Sequence, residues 1–237
     1  MLPPLSVFIP FYNGEKYVEH TIKTTYGYLE KNFTDFELIA VDDNSSDQTR
    51  QKLIKLQKVL PKLRLIENQK GPSKRENLGK AMASARFNYV FYQDQDLSVP
   101  IEYIHPLVAS LVNEHFDIAI GNRYKGLKLK RSFYRLVLSK TFNLFLRIFF
   151  KTRIEDNICG FKAFKKQMLF SLLSDMGYDN SLNRGWFWDA ELLIRAQQKN
   201  MAIHEMPVEW LAGKESTFRL SKEFGLLKYI CQFYKNG

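Results

Sequence analysis

A chain of 237 residues, 45% of them hydrophobic and 14% aromatic, can bury a sizeable core, which excludes a disordered protein and suits one large α/β domain or two small ones. Its net charge of +10 calls for an anionic partner: nucleic acid, an acidic lipid surface or a phosphorylated substrate. Cys159 and Cys231 form no CxxC pair, which argues against a disulfide framework or a cysteine zinc site, and a reducing compartment fits. The N-terminus, MLPPLSVFIPFYN, has no basic segment before its apolar stretch, and no window reaches the roughly 18 apolar residues of a spanning helix, so neither secretion nor self-spanning is expected.

In chain order, Leu5 to Pro10 reads as a strand, followed by a helical pattern from Glu15 to Glu30. Phe36 to Val41 is the next strand, and the helix from Asp47 to Lys58 opens on a capping aspartate. Leu63 to Ile66 precedes a helix from Ser73 to Arg86, with Ser73 as its cap. Tyr89 to Tyr92 and Ile118 to Ile120 are further strands, separated by a helix from Ile101 to Asn113. That alternation predicts an open, mostly parallel sheet with helices on both faces, in which ligands sit at the carboxyl ends of the strands. Asp42 and Asp43 fall on that edge after the second strand, and Asp94 and Asp96 after the fourth.

Neither GxGxxG nor GxxxxGK[ST] occurs, so dinucleotide and P-loop phosphate cradles are absent. A doubly wound domain without a glycine cradle can still hold phosphates through a divalent cation that takes oxygen ligands from two carboxylates and a diphosphate together. Further on, Arg131, Arg135, Ser139, Asn143, Arg147 and Lys151 recur every fourth position. Leu136, Leu138, Phe142, Phe145, Leu146, Phe149 and Phe150 occupy much of the rest. On a helix this leaves one cationic and one broad aromatic face, suited to a membrane interface; a buried helix with a charged edge has the same pattern.

Six segments then carry a resemblance over Leu5 to about Leu220: VFIPFYNGEKYV, LIAVDDNSSDQT, YQDQDLSVP, IAIGNRY, DNICGFKAF and FWDAELLIRAQQKNMAIHEMPVEW. Their order and spacing resemble a family 2 glycosyltransferase, in the branch that moves sugars onto polyprenyl or dolichyl phosphate. The resemblance implies a GT-A fold, a UDP- or GDP-sugar donor, Mg²⁺ or Mn²⁺, and a polyprenyl phosphate acceptor. It also implies a single in-line displacement that inverts the anomeric centre. The expected organisation is one domain, 1–237, with a nucleotide-sugar half at 1–121, an acceptor half at 122–220 and an amphipathic C-terminal segment at 221–237. The expected location is peripheral, on the cytoplasmic face of a membrane, with room for a transmembrane partner protein.

Residue by residue, the resemblance puts Pro10, Tyr12 and Glu15 around the nucleotide, Asp43 with Asp42 at the base, and Gly71 and Arg75 beside the donor. Asp94 and Asp96 match the family's DxD and would hold the cation; Ser98 stands where some relatives carry Gln. Arg123, Arg135 and Ser139 match the clamp for the acceptor phosphate. Asp156 and Asp189 match carboxylates that would orient the acceptor or cap a helix. A phosphate acceptor is already an anion, so orientation and charge neutralisation should supply most of the rate. Trp186, Phe187 and Trp188 read as core rather than as a sugar platform, and the four histidines show no ligand spacing. Two alternatives stay open on the sequence: a soluble or polysaccharide acceptor, and a non-catalytic basic module binding acidic lipid or nucleic acid. No nucleic-acid-binding motif supports the latter.

Overall fold

The computed structural model describes residues 1–73, 75–129, 133–178, 184–185, 187–211 and 224–236, with backbone alone at 133, 135, 224, 225 and 236. Its strands are β1 (Leu5–Phe11), β2 (Phe36–Asp42), β3 (Leu63–Glu67), β4 (Tyr89–Gln93), β5 (Ile118–Asn122), β6 (Phe161–Lys165) and β7 (Ile203–Pro207). They form one seven-stranded sheet in the order β3-β2-β1-β4-β6-β5-β7. All neighbours are parallel except β6, which runs antiparallel to both β4 and β5. The chain winds outward from β1 to β3 and then crosses back to β4 on the other side of β1. The crevice between β1 and β4 is therefore the switch point where ligands bind in such sheets.

The helices are α1 (Val18–Asn32), α2 (Thr49–Gln57), α3 (Glu76–Met82), α4 (Ile104–Asn113), α5 (Phe133–Phe150), α6 (Lys166–Met176), α7 (Phe187–Gln198) and α8 (Phe224–Asn236). Side chains alternate across each strand, so Leu5, Val7, Ile9 and Phe11 of β1 join a core with Val18 and Ile22 of α1, Leu53 of α2 and Leu107 of α4. Phe8, Ile39, Val90 and Ile118 face the opposite core, built with Leu78 of α3, Leu169 of α6 and Trp188 and Leu192 of α7. Each such buried side chain contributes about 1.5 to 3 kcal/mol relative to exposure. Burial on both faces explains why these strands read as continuous apolar runs.

A third layer lies outside α7. Phe187, Ala190 and Ile194 point away from the sheet and pack with Leu146 of α5 and Leu226, Ile230 and Phe233 of α8. Phe187 and Trp188 are core, as read from the sequence; Trp186 lies outside the described residues.

Several helix boundaries differ from the sequence reading, most of all those of α3. The helix expected from Ser73 starts at Glu76, because the Ser73 amide and hydroxyl both donate to Asp43, at 2.9 and 3.0 Å. It stops at Met82 rather than Arg86, since the amides of Arg86 and Phe87 are captured by Glu37 (2.7 Å) and Ser6 (3.1 Å). Asp47 accepts from the Thr49 amide at 2.9 Å, but helical geometry begins at Thr49 itself.

Candidate active site

The loops after β1 and β4 meet at the switch point. The Tyr12 amide donates to Gln95 at 3.2 Å, and the Thr21 hydroxyl donates to the Gln95 carbonyl at 2.6 Å. Gly14 packs so tightly against Gln95 that a Cβ would lie 2.3 Å from its Oε1. On the other side, the loop from Asn13 to Glu15 is stitched to residues after β2. The Asn13 amide donates to Ser45 (3.1 Å), the Gly14 amide to Thr49 (2.9 Å), and Glu15 accepts from the Gln48 amide at 2.9 Å. Pro10 is partly exposed near the end of β1, and Tyr12 and Glu15 follow in this loop, Tyr12 exposed and Glu15 partly so.

Asp42 and Asp43 end β2. Asp42 accepts from the Ser45 amide at 3.3 Å, and burial raises its carboxyl above the usual range. Asp43 accepts from Ser73 and from the Asn77 amide group, and Gly71 lies against its backbone, where a Cβ would come within 2.5 Å of its carbonyl oxygen. Asp43 therefore organises the loop carrying Gly71 and Arg75, and that loop brings Arg75 to β4.

Asp94 and Asp96 stand at the carboxyl end of β4. The Asp94 amide is tied to the Gly160 carbonyl at 3.1 Å, and a Cβ at Gly160 would sit 2.2 Å from Asp94 Oδ2. Gly160 is small because the carboxylate needs that space. Asp96 accepts from the amide and hydroxyl of Ser98, at 3.1 and 2.6 Å. Burial, and then the neighbouring charge of Asp94, push its carboxyl up. Two crowded carboxylates offering hard oxygen atoms fit a divalent cation of the Mg²⁺ class. Ser98 supports Asp96 rather than adding a carboxylate.

Asp189, in the first turn of α7, has both of its oxygens engaged by side chains from elsewhere in the chain. Arg75 Nε donates to its Oδ2 at 3.0 Å, Lys162 Nζ to its Oδ1 at 2.9 Å, and the Tyr92 hydroxyl also donates to Oδ1. Burial alone would raise this carboxyl; the Lys162 ammonium and Arg75 guanidinium prevail and hold it at about 2. Lys162 escapes the sequence reading although it lies within the DNICGFKAF block. The available signal is a lysine between apolar neighbours at the second position of a five-residue strand, opposite Tyr92 in register. Its side chain is fully buried.

Arg123 and Asp156, read from the sequence as an acceptor clamp and a separate carboxylate, form a single buried pair. Arg123 donates from Nε and Nη2 to the two Asp156 oxygens, both at 2.7 Å, and its amide adds a third bond at 3.1 Å. The guanidinium lies 4.8 Å over the Trp210 ring, and Trp210 lines a small cleft with Asp94, Ser98 and Gly160. Next to Arg123, the Tyr124 hydroxyl bonds Ser139 of α5 and accepts from Asn143 at 3.1 Å. Asn143 Oδ1 in turn accepts from the amide and side chain of Asn157, each at 3.0 Å.

Within the polar stripe that recurs every fourth residue along α5, Ser139 and Asn143 form an internal seam, whereas Arg147 and Lys151 are exposed. Phe142 and Phe145 belong to the third layer, whereas Phe149 is exposed. The outward surface carries Tyr134, Val137, Leu144, Ile148 and Phe149 of α5, with Leu227 and Tyr234 of α8. Neither helix contains an acidic residue. The Arg135 side chain and residue 131 lie outside the described residues. No helix among those described is long and apolar enough to cross a membrane.

Residues 6–172 match the glycosyl transferase family 2 domain. The chain belongs to that family. It is 31% identical over 209 residues to Glycosyltransferase AglD of Haloferax volcanii, covering 87% of this chain and 33% of that protein. It thus spans about a third of AglD. It is 28% identical to dolichyl-phosphate beta-glucosyltransferase ALG5A of Trichomonas vaginalis, over 98% of this chain and 72% of that one. The corresponding enzyme of Saccharomyces cerevisiae is 26% identical over 98% of this chain and 77% of its own length. Among solved structures, glucosyl-3-phosphoglycerate synthase of Mycobacterium tuberculosis, in complex with Mn²⁺, UDP and glucosyl-3-phosphoglycerate, superposes with a TM-score of 0.68. That match covers 96% of this chain and 78% of that one at 17% identity. The fold is the GT-A fold that the sequence resemblance implies, and the protein is a glycosyltransferase.

Proposed function

We propose that this protein transfers glucose from UDP-glucose to a polyprenyl phosphate of the dolichyl type, with inversion, at the cytoplasmic face of a membrane. The observation that carries the reading is spatial. Trp210 borders the Asp94 cleft, Arg123 stacks on Trp210, and Tyr124 bonds α5, which supports reading the donor edge and the amphipathic helix as one site. Relatives named for dolichyl phosphate and β-glucosyl transfer match nearly the whole chain, which supports the acceptor class and the β product.

In this reading Asp94 and Asp96 would hold Mg²⁺ or Mn²⁺, which when bound would supply charge neutralisation for the departing nucleotide. An oxygen of the lipid phosphate attacks the anomeric carbon, the bond from that carbon to the diphosphate breaks, and UDP leaves. A phosphate monoester has its second pKa near 6, so the attacking oxygen needs no general base at neutral pH. That accords with Asp156 and Asp189 both being spent on buried cations. Asp156 engages only the Nε and Nη2 edge of Arg123; the remaining corner, with Arg135 and the Ser139 turn of α5, would meet the acceptor phosphate. The exposed apolar residues of α5 and α8, flanked by Lys140, Arg147, Lys228 and Lys235, would bring the site to an acidic lipid surface.

The test is a panel of UDP- and GDP-hexoses with Mn²⁺, with and without a short polyprenyl phosphate, read by product mass. The expected result is a hexosyl lipid phosphate, formed best from UDP-glucose and only with lipid present. Equal transfer to a soluble or polysaccharide acceptor would overturn the proposal.

A further inference from the structure

Asp94 already has a cation. Arg75 Nη2 donates to Asp94 Oδ1 at 2.8 Å, while its Nε donates to Asp189 Oδ2 at 3.0 Å. The guanidinium lies 5.5 Å over the Tyr92 ring, and its side chain is 15% exposed. Asp189 is gripped from its other oxygen by Lys162 and Tyr92. Two cations, Arg75 and Lys162, thus face two carboxylates, Asp94 and Asp189, with Asp96 the adjoining third. The balance is local and largely closed to water, and buried charges are tolerated only when paired in this way.

This arrangement has two chemical consequences. A guanidinium on Asp94 Oδ1 and a divalent cation on the same carboxylate would repel at contact distance, so Arg75 at its present position opposes a metal bound there. Arg75 is held through two different nitrogens of its planar fork, Nε on Asp189 and Nη2 on Asp94, so releasing Asp94 does not release Asp189. It would remain at the mouth of the site, with Nη2 free for a diphosphate oxygen. Asp189 has both oxygens engaged, which suits an anchor and not a base.

We infer that Arg75 is an internal counter-cation of the donor site, exchanged on Asp94 for the divalent cation when donor binds, and kept beside the diphosphate by Asp189 acting as a positioning residue. The inference rests on the donor-site reading above. It differs from a plain nucleotide-contact role because it predicts that Arg75 opposes binding of the metal alone.

The experiment uses Mn²⁺ without nucleotide, followed by the electron paramagnetic resonance signal of the free ion, and UDP with saturating Mg²⁺, followed by calorimetry. Arg75→Gln should bind Mn²⁺ about tenfold more tightly than the unaltered protein and UDP about tenfold more weakly, the scale of one charge-assisted hydrogen bond. Arg75→Lys keeps the charge and the fold but loses the fork, and should show the same opposed shifts at smaller size. Mn²⁺ binding that is unchanged or weaker in both variants overturns the exchange. Asp189→Asn, made together with Lys162→Met so that no buried ammonium is left alone, should weaken UDP binding without raising the acceptor KM. A raised acceptor KM with unchanged UDP binding would instead put Asp189 in the acceptor site; should that pair fail to fold, the Arg75 titrations decide. Failure of the unaltered protein to bind UDP at all would sink the donor-site reading itself, an outcome separable from the metal-only arm.

Discussion

Lys162 and Asp189 illustrate how one buried residue fixes the chemistry of the next. A lone buried ammonium in β6 would be untenable, and so would a lone carboxylate in α7. Together with Arg75 they are stable, and the price is dependence on pH. The Asp189 carboxyl is held at about 2 against an ordinary 3.8, which is worth about 2 kcal/mol of folding stability. Because its folded value is the lower one, that stability is present above pH ~3.8 and is lost as pH falls toward 2. Asp189→Asn should cost about 3 to 5 kcal/mol at neutral pH by stranding Lys162. The gap from the unaltered protein should narrow by about 2 kcal/mol between pH 4 and pH 2 in urea titrations; a constant gap would contradict the ion-pair assignment. Arg123 and Asp156 predict a different pattern. Arg123→Ala leaves a fully buried carboxylate unpaired and should lose about 3 to 5 kcal/mol, while Arg123→Ala with Asp156→Ala should recover part of it. Chemical denaturation of the three variants measures this coupling, and additive losses would show that the pair is not a unit.

At the level of elements, the third layer of α5, α7 and α8 separates two kinds of aromatic residue that sequence alone merges. Phe142 and Phe145 are half-buried, with Phe145 ringed by Phe142, Phe149 and Phe150, whereas Phe149 and Ile148 face outward. Replacing Phe142 and Phe145 with Ser should lower stability by about 2 kcal/mol each, roughly half the cost at a fully buried site, and Tm by several degrees. Phe149→Ser with Ile148→Ser should leave Tm within a degree or two but reduce binding to vesicles containing anionic lipid. Equal vesicle binding would remove this face from the membrane. The first five strands are legible in the sequence because burial on both faces gives unbroken apolar runs. β6 and β7 are not. FKAFK carries two lysines, one of them buried against Asp189 and the Cys159 carbonyl, and IHEMP is a half-exposed edge strand without alternation. The polar stripe of α5 was visible as a periodicity, but its direction was not: only Tyr124 and Asn157, distant in sequence, reveal that Ser139 and Asn143 face inward.

For the whole molecule, the sheet order carries the functional logic. The crossover to β4 creates the crevice, the antiparallel β6 brings Gly160 against Asp94 and Lys162 beneath Asp189, and β5 delivers Arg123 next to α5. The acidic pair at the end of β4 is readable from sequence, since its position follows from strand spacing. The charge network behind it is not, because Arg75, Lys162 and Asp189 come from three separate elements and no local pattern links them. The most direct measurement of the central claim is the initial rate of sugar transfer to a polyprenyl phosphate by cation-stripped protein on adding Mn²⁺, compared with Asp96→Asn at matched folded concentration. Loss of the metal-binding carboxylate should lower kcat by at least about 100-fold, as for removal of other groups that stabilise developing charge, with the circular dichroism spectrum unchanged. Full transfer by Asp96→Asn, or undiminished transfer by the unaltered protein in excess EDTA, would contradict the assignment of the Asp94 and Asp96 edge as the catalytic centre.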